Sequence, residues 1–524
     1  MKRNNRSDMS HQYKVIQNLK IVCCSVLLYT RKQVAVYVFM VVWGLMHTQA
    51  WSQVSFTKIT DGPQVSLPSD SRSVNFVDVN GDGWEDLFIS NGPSTGQNNL
   101  LYINKGDGAF TLLTNDPIVQ DGSKSDGASF ADVDNDGDLD AYVVTWYGQR
   151  NYFYRNQGDG SFLLDEDTTL TTNGTFSETA SWGDVDNDGW LDLFLTNSEG
   201  KSKQNSLFLN VKGQSFSSFP SPATQSNTLS RAVNWVDVNG DGKLDLFVTN
   251  EDPSPNELYL NTGTKPFFQK DDQPLWQNLV KGSMSASWGD VDNDGDLDLF
   301  LANAAYFKEV NNQLLINDGK GHFTPIKTGD LVEDGGCSYG SAFADYDNDG
   351  DLDLLVANGF CKENLQDWLY ENDGKGHFTR TTNILQDMPN LCSFGVAWGD
   401  VNNDGFLDLA IANCQNGKND PQPFNTFYLN NGNGLHWLQI KLKGTRSNRS
   451  AIGAKISILT GKGQWQMREI STQSGYCGQN SLIAHFGLGK HNRVKKVLVE
   501  WPSGQKSSLQ RVKANQRIEI VEKY

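Results

Sequence analysis

The feature that most constrains this chain is an aspartate-rich motif that returns at an almost constant interval. The stretch "WGDVDNDGDLDLF" (288–300) sets five aspartates in nine positions, between a tryptophan and an apolar run. Its relatives begin at Asp78, Asp132, Asp184, Asp237, Asp290, Asp345 and Asp400, at spacings of 54, 52, 53, 53, 55 and 55 residues. Such a period marks an array of supersecondary units, each covering the next. Two residues before each first Asp stands an aromatic (Phe76, Phe130, Trp182, Trp235, Trp288, Phe343, Trp398), and four before it a small or β-branched residue. That alternation is the period of a strand, with the aromatics read as core between units. A second strand follows the motif ("LFISN", "LFLTN"), then a third ("NNLLYIN", "NELYLN"), a glycine turn, and a fourth that opens on Phe.

Four strands in each of seven units predict an all-β fold, a seven-bladed β-propeller. The fourth-strand signature occurs at Phe56, Phe110, Phe162, Phe216, Phe267, Phe323 and Phe378. The first copy precedes every aspartate loop and the last unit has none, so the strand around Phe56 is expected to complete the final blade. Closure of that kind removes the exposed sheet edge. The 50 glycines, many in Asn-Gly and Asp-Gly pairs, supply the turns this requires.

Repelling carboxylates two residues apart call for a cation. Oxygen side chains at loop positions 1, 3, 5 and 9, with glycine at 6, suit an ion that takes six to eight oxygens, and no His or Cys is offered to a transition metal. Calcium is therefore expected, as up to seven structural ions. The candidate ligands are Asp78, Asn80, Asp82, Trp84 and Asp86 in the first loop, and Asp132, Asp134, Asp136, Asp138 and Asp140 in the second. The third offers Asp184, Asp186, Asp188, Trp190 and Asp192, and the fourth Asp237, Asn239, Asp241, Lys243 and Asp245. The fifth offers Asp290, Asp292, Asp294, Asp296 and Asp298, the sixth Asp345, Asp347, Asp349, Asp351 and Asp353, and the seventh Asp400, Asn402, Asp404, Phe406 and Asp408. Position 7 varies from Trp to Lys to Phe, which makes sense where the backbone carbonyl is the ligand.

Charge divides the chain. Residues 1–50 carry a net +6 and residues 435–524 a net +12, so a total of −18 leaves −36 on the body between them. Three segments are expected: a signal peptide over 1–52 with cleavage near 50–53, the propeller over 53–434, and a small basic β domain over 435–524. The leader has basic residues, an apolar run from Val34 to Met46 and small residues near Ala50. An uncleaved membrane anchor is the alternative. No membrane span is expected after cleavage, and no nucleic acid partner.

The units resemble the FG-GAP/VCBS repeats of integrin-α-like propellers, in which such loops join the first two strands of a blade and bind calcium. The tail, "HWLQIKLKGTRSNRSAIGAKISI" through "SGYCGQNSLIAHFGLG" to "VLVEWPSG", resembles the ASPIC/UnbV domain of the cartilage acidic protein-like bacterial family. The resemblance implies fold and ion more sharply than biological role.

Cys337 and Cys361 flank the sixth loop as Cys392 and Cys414 flank the seventh, each pair near the open end of a strand hairpin, so two cross-strand disulfides are expected and Cys477 stays free. His322 and His377 share one repeat slot and read as structural, while His485 has no evident nucleophile or acid–base partner. No catalytic residues are assigned. The expected function is a secreted, periplasmic or cell-surface binding and adhesion module whose partner is a glycan or protein. The alternative is a carbohydrate-active protein, a lectin or a polysaccharide-cleaving enzyme, and either would use the face opposite the calcium loops. Connections there include 145–151, 303–312 and 413–425, with Trp146 and Tyr147 as candidates to stack on a sugar. The basic residues Lys441, Lys443, Arg446 and Arg449 are candidates for a patch that meets a polyanion or the propeller itself.

Overall fold

The computed structural model describes residues 54–523, apart from 167–168, 172–175, 201–202, 305–307, 363–364, 386 and 462. The expected leader and its cleavage region lie outside the described residues.

The first repeat forms an antiparallel sheet of Ser71–Val77, Asp86–Asn91, Leu100–Asn104 and Phe110–Leu112. Its register pairs Val77 with Asp86 and Phe76 with Leu87, which holds the aspartate loop at one end of the hairpin. Six further sheets among the described residues repeat this plan. In the last, the fourth strand is Phe56–Lys58, which pairs Phe56 with Asn430 of Thr426–Asn430. The innermost strands meet in chain order, and Cys392–Gly399 of the last repeat packs on Ser71–Val77 of the first. The ring is closed by its own N-terminal strand, as its sequence predicts.

The aromatics between sheets behave as core. Phe130 packs edge-on to Phe88 of the preceding sheet at 5.2 Å, Trp235 to Phe194 at 6.3 Å and Trp288 to Phe247 at 5.5 Å. Such pairs favour tilted contact, because ring edges are positive and faces negative. Glycine beside them is a steric requirement: a Cβ on Gly183 would stand 2.5 Å from the Trp235 ring. One expected slot shifts by a residue. The fourth strand of the fourth sheet is Phe268–Lys270, not a strand from Phe267, which sits at φ 70° in a turn lengthened by "GTKP". Every first strand also carries a register shift near its start, which alternation alone did not reveal.

The tail folds into two sheets. His436–Lys443 lies between Ala484–Gly489 and Arg517–Val521, and the other sheet runs Trp465–Glu469, Lys455–Leu459, Arg493–Glu500, Lys506–Lys513. The segment between Glu469 and Ala484 leaves these sheets and enters the ring. Gly478–Gln479 pairs in parallel with Val74 and Asn75, Gln479 accepts from the Phe130 amide at 2.9 Å, and Asn480 accepts from the Trp398 amide at 2.9 Å. The Thr472 hydroxyl accepts from the Trp182 amide at 3.1 Å, and the Tyr476 amide donates to Ser285 at 2.7 Å. Innermost strands of five repeats thus contribute to holding one tail segment in the central channel. Both disulfides form, Cys337–Cys361 and Cys392–Cys414, and Cys477 is a buried free thiol.

Candidate metal centre

Each aspartate loop is built by backbone donors that turn inward. In the first, the Gly83 amide donates to Asp78 at 3.0 Å, the Asp82 amide to Asn80 at 3.0 Å and the Trp84 amide to Asp82 at 2.9 Å. Two positions need the left-handed backbone. Glycine fills position 6 throughout, and position 4 is glycine (Gly81, Gly240) or asparagine (Asn135, Asn187, Asn293, Asn348, Asn403). Asn is among the few residues that tolerate this region. Four of these asparagines also donate to the position-6 carbonyl of the next loop: Asn135 to Gly189, Asn187 to Gly242, Asn348 to Gly405, and Asn403 back to Gly83. The loops therefore brace one another around the ring.

In four loops three carboxylates converge, each offering an oxygen within 4.8 Å of the others: Asp132, Asp134 and Asp136; Asp184, Asp186 and Asp192; Asp290, Asp292 and Asp294; Asp345, Asp347 and Asp349. The loops beginning at Asp78, Asp237 and Asp400 carry an amide, Asn80, Asn239 or Asn402, at position 3 instead. The position-9 aspartates are buried, and five of them, Asp86, Asp192, Asp245, Asp298 and Asp408, accept from two backbone amides. Asp86 accepts from the Val79 amide at 3.1 Å and from the Asn104 amide at 2.7 Å. Side chains at position 7 lie over the glycine of the following turn, Trp84 over Gly106, Trp190 over Gly213 and Phe406 over Gly432.

These carboxylates are poorly satisfied by the protein. Both oxygens of Asp290 and one each of Asp78, Asp132, Asp292 and Asp353 are buried without a hydrogen-bond partner. Burial pushes Asp86, Asp140 and Asp298 up to about 8, and Asp132, Asp184, Asp290 and Asp345 up to about 7. Buried, unpartnered anionic oxygens are costly unless a cation meets them. The donor set, carboxylate and amide oxygen with no nitrogen or sulfur, fits calcium.

One element of the site was visible in the sequence but was not assigned there. The third strand of every repeat ends in Asn: Asn104, Asn156, Asn210, Asn261, Asn317, Asn372 and Asn430. Each backbone amide donates to the position-9 aspartate at 2.7–2.9 Å. Each side-chain amide reaches a position-2 carbonyl in the preceding repeat, also at 2.7–2.9 Å. Recurrence in all seven units was the available signal.

The basic tail covers this end of the ring. Lys455 stands 2.9 Å from Asp237, Lys441 3.7 Å from Asp78, Arg449 3.8 Å from Asp132 and Arg468 3.8 Å from Asp345, while Gln439 donates to Asp400 at 2.8 Å. Two members of the expected basic patch, Lys441 and Arg449, are thus turned toward the ring. The second loop has a further cation of its own: Arg155 lies 3.1 Å from Asp134 and 3.4 Å from Asp140. His485 is buried with Nε2 2.6 Å from Asn348, and burial holds it down at about 3, so it packs as a neutral ring. His322 and His377 bond Asp318 and Asp373 within their turns.

A closed ring of four-stranded repeats, each opening on an aspartate loop and capped by a β tail, defines a repeat propeller with cation-suited loops. The chain belongs to the FG-GAP-like repeat family, whose model matches residues 78–143, 141–195, 184–248, 237–301, 290–356 and 360–411; the "ASPIC and UnbV" model matches 444–524. Human "Cartilage acidic protein 1" is 25% identical over 466 residues, 82% of this chain and 60% of that protein, and the mouse protein of that name is 25% identical over 468. The chain spans about 60% of the length of the curated relatives it matches. A solved protein from Lactobacillus plantarum aligns with a TM-score of 0.43 at 12% identity, covering 62% of this chain and 87% of its own. The biofilm matrix protein Bap1 of V. cholerae aligns at 0.33 and 13%, covering 88% and 72%.

Proposed function

We propose that the protein is an exported, calcium-stabilised binding module that holds an extracellular glycan or protein on the face opposite its aspartate loops. The observation that carries this reading is the tail. It spreads over the loop end, places cations beside Asp78, Asp132, Asp237 and Asp345, and fills the central channel, so the opposite end is the one left for a partner. Connections and chain segments at that end carry Leu67, Tyr147, Val280 and Phe424, all exposed. Trp146 is less available than Tyr147, because its indole donates to Glu178 at 2.8 Å and packs between Tyr147 and Phe176. Part of the 303–312 connection lies outside the described residues.

In this reading, oxygens at positions 1, 3, 5 and 9 hold calcium together with the position-7 carbonyl, and the ion supplies the charge that lets the loops close. The two disulfides fit an oxidising compartment outside the cytosol. The purified chain should be screened against immobilised glycans and extracellular matrix proteins, in calcium and in chelator. Saturable binding that Tyr147→Ala or Phe424→Ala weakens supports the reading; equal binding by both variants overturns the face assigned.

A further inference from the structure

The tail divides its cations into two sets. Lys441, Arg449, Lys455 and Arg468 turn to the aspartate loops, and Arg517 donates to the Gly83 carbonyl at 3.0 Å. The second set lies on the hairpin Arg493–Lys513, which carries six cations and one acid, Glu500, a net of +5. Lys506 pairs with Glu500 at 3.0 Å; Arg493, Lys495, Lys496, Arg511 and Lys513 make no ion pair among the described residues, and all but Lys496 are fully exposed. Edge protection accounts for Lys506, Arg511 and Lys513, because charge on an outermost strand blunts pairing with other chains. It does not account for Arg493, Lys495 and Lys496, which lie on the strand inside it. Arg493 stands directly opposite Lys513, and like charges so placed repel. An anion laid across them relieves that repulsion.

The register of the same sheet builds an open row beside this hairpin. Trp465 pairs with Leu459, Leu459 with Lys496, and Lys496 with Gln510. Paired residues share a face, so four side chains stand in line across four strands, about 14 Å from end to end. The other face of the sheet is spent on the tail core, through Ile456, Ile458, Val497 and Val499. Trp465 and Gln510 are exposed, and Leu459 and Lys496 partly so. We propose that this row and the cationic hairpin bind an acidic polysaccharide. Trp465 offers its ring to the apolar face of a sugar, Lys496 meets an acid group in the same row, and Gln510 gives and accepts hydrogen bonds. An extended chain is required, because Trp465 and Lys513 lie on opposite edges of the sheet. Nucleic acid carries similar charge, but the two disulfides fit a compartment outside the cytosol. The surface belongs to the tail, so it stands or falls apart from the face assigned on the ring.

The test is binding of the full chain in calcium to immobilised hyaluronate and dextran sulfate, with neutral dextran, single-stranded DNA and anionic phospholipid vesicles in parallel. Saturable binding to at least one acidic polysaccharide is expected, weakening as salt rises, with none to neutral dextran. Trp465→Ala should weaken it about tenfold by removing the stacking surface. Arg493→Gln combined with Lys496→Gln should weaken it by about tenfold or more and flatten the salt dependence. The melting temperature of this double variant should match the parent's, which separates lost binding from a lost fold. Lys375→Gln, at an exposed lysine of a ring turn, should leave binding as it is. The proposal is overturned if neither acidic polysaccharide binds, if DNA or vesicles bind as tightly, or if either tail variant binds as the parent does.

Discussion

At the scale of single residues, the loops hold some side chains where a cation would meet them and others that only position the chain. Asp298 is buried at position 9, whereas Asp296 lies over the glycine of the next turn, Gly319. Asp298→Ala should lose one calcium and measurable stability, and Asp296→Ala should keep the full stoichiometry; metal analysis after gel filtration distinguishes them. Arg155 gives a second case. Its equivalents are apolar in five repeats, Ile103, Leu209, Leu260, Ile316 and Leu429, and acidic in the sixth, Glu371, yet here a guanidinium lies beside two expected ligands. A fixed positive charge there opposes a divalent ion, so Arg155→Leu should raise calcium affinity at the second loop by about tenfold, read by titration against a chelating dye. The aspartates were legible because charge repulsion leaves few reasons for their spacing. Arg155 was not, because nothing in the sequence says which side chains of neighbouring strands face a loop.

At the scale of elements, burial decides how the loops respond to pH. It raises the carboxyls of Asp86, Asp140 and Asp298 to about 8, so without an ion the folded state favours their protonated form. That preference contributes fully below the ordinary carboxylate range and is lost as pH rises through about 7 to 8. In excess chelator the melting temperature should therefore fall between pH 5 and pH 8. Saturating calcium should abolish or reverse the trend, because the ion favours the charged form. The channel segment is a second element with its own test. The Tyr476 hydroxyl lies 2.9 Å from Asp126 and against Glu178, with one proton for the two carboxylates, within a buried group that includes Arg231. Tyr476→Phe keeps the ring but leaves those carboxylates short of a donor, at a cost of about 1–3 kcal/mol in denaturant unfolding. Strand order and closure at Phe56 followed from alternation and from counting Phe signatures. The channel segment did not, because "STQSGYCGQNS" is polar and aperiodic and its partners in the ring lie 82 to 396 residues away.

At the scale of the whole molecule, loop closure and tail docking depend on the same carboxylates. Ions that bind only the folded state stabilise it by about 2.7 kcal/mol per site at a hundredfold excess over Kd. Removing calcium should lower the melting temperature on the order of 10 °C, with magnesium restoring little; an unchanged curve in chelator would count against every loop at once. The excess of +12 on the tail and −36 on the body was readable from composition, and it pointed to attraction between them without saying where. The sequence by itself determined the repeat, its four strands, the ring closure and the oxygen-rich loops, because those depend on local alternation, turn chemistry and repulsion between near neighbours. Only the tertiary structure decided that Lys455 meets Asp237, that the tail segment fills the channel, and that Trp465 shares a row with Lys496. Each of these joins groups tens to hundreds of residues apart, and their pairing is set by how closed surfaces fit rather than by the order of residues along the chain.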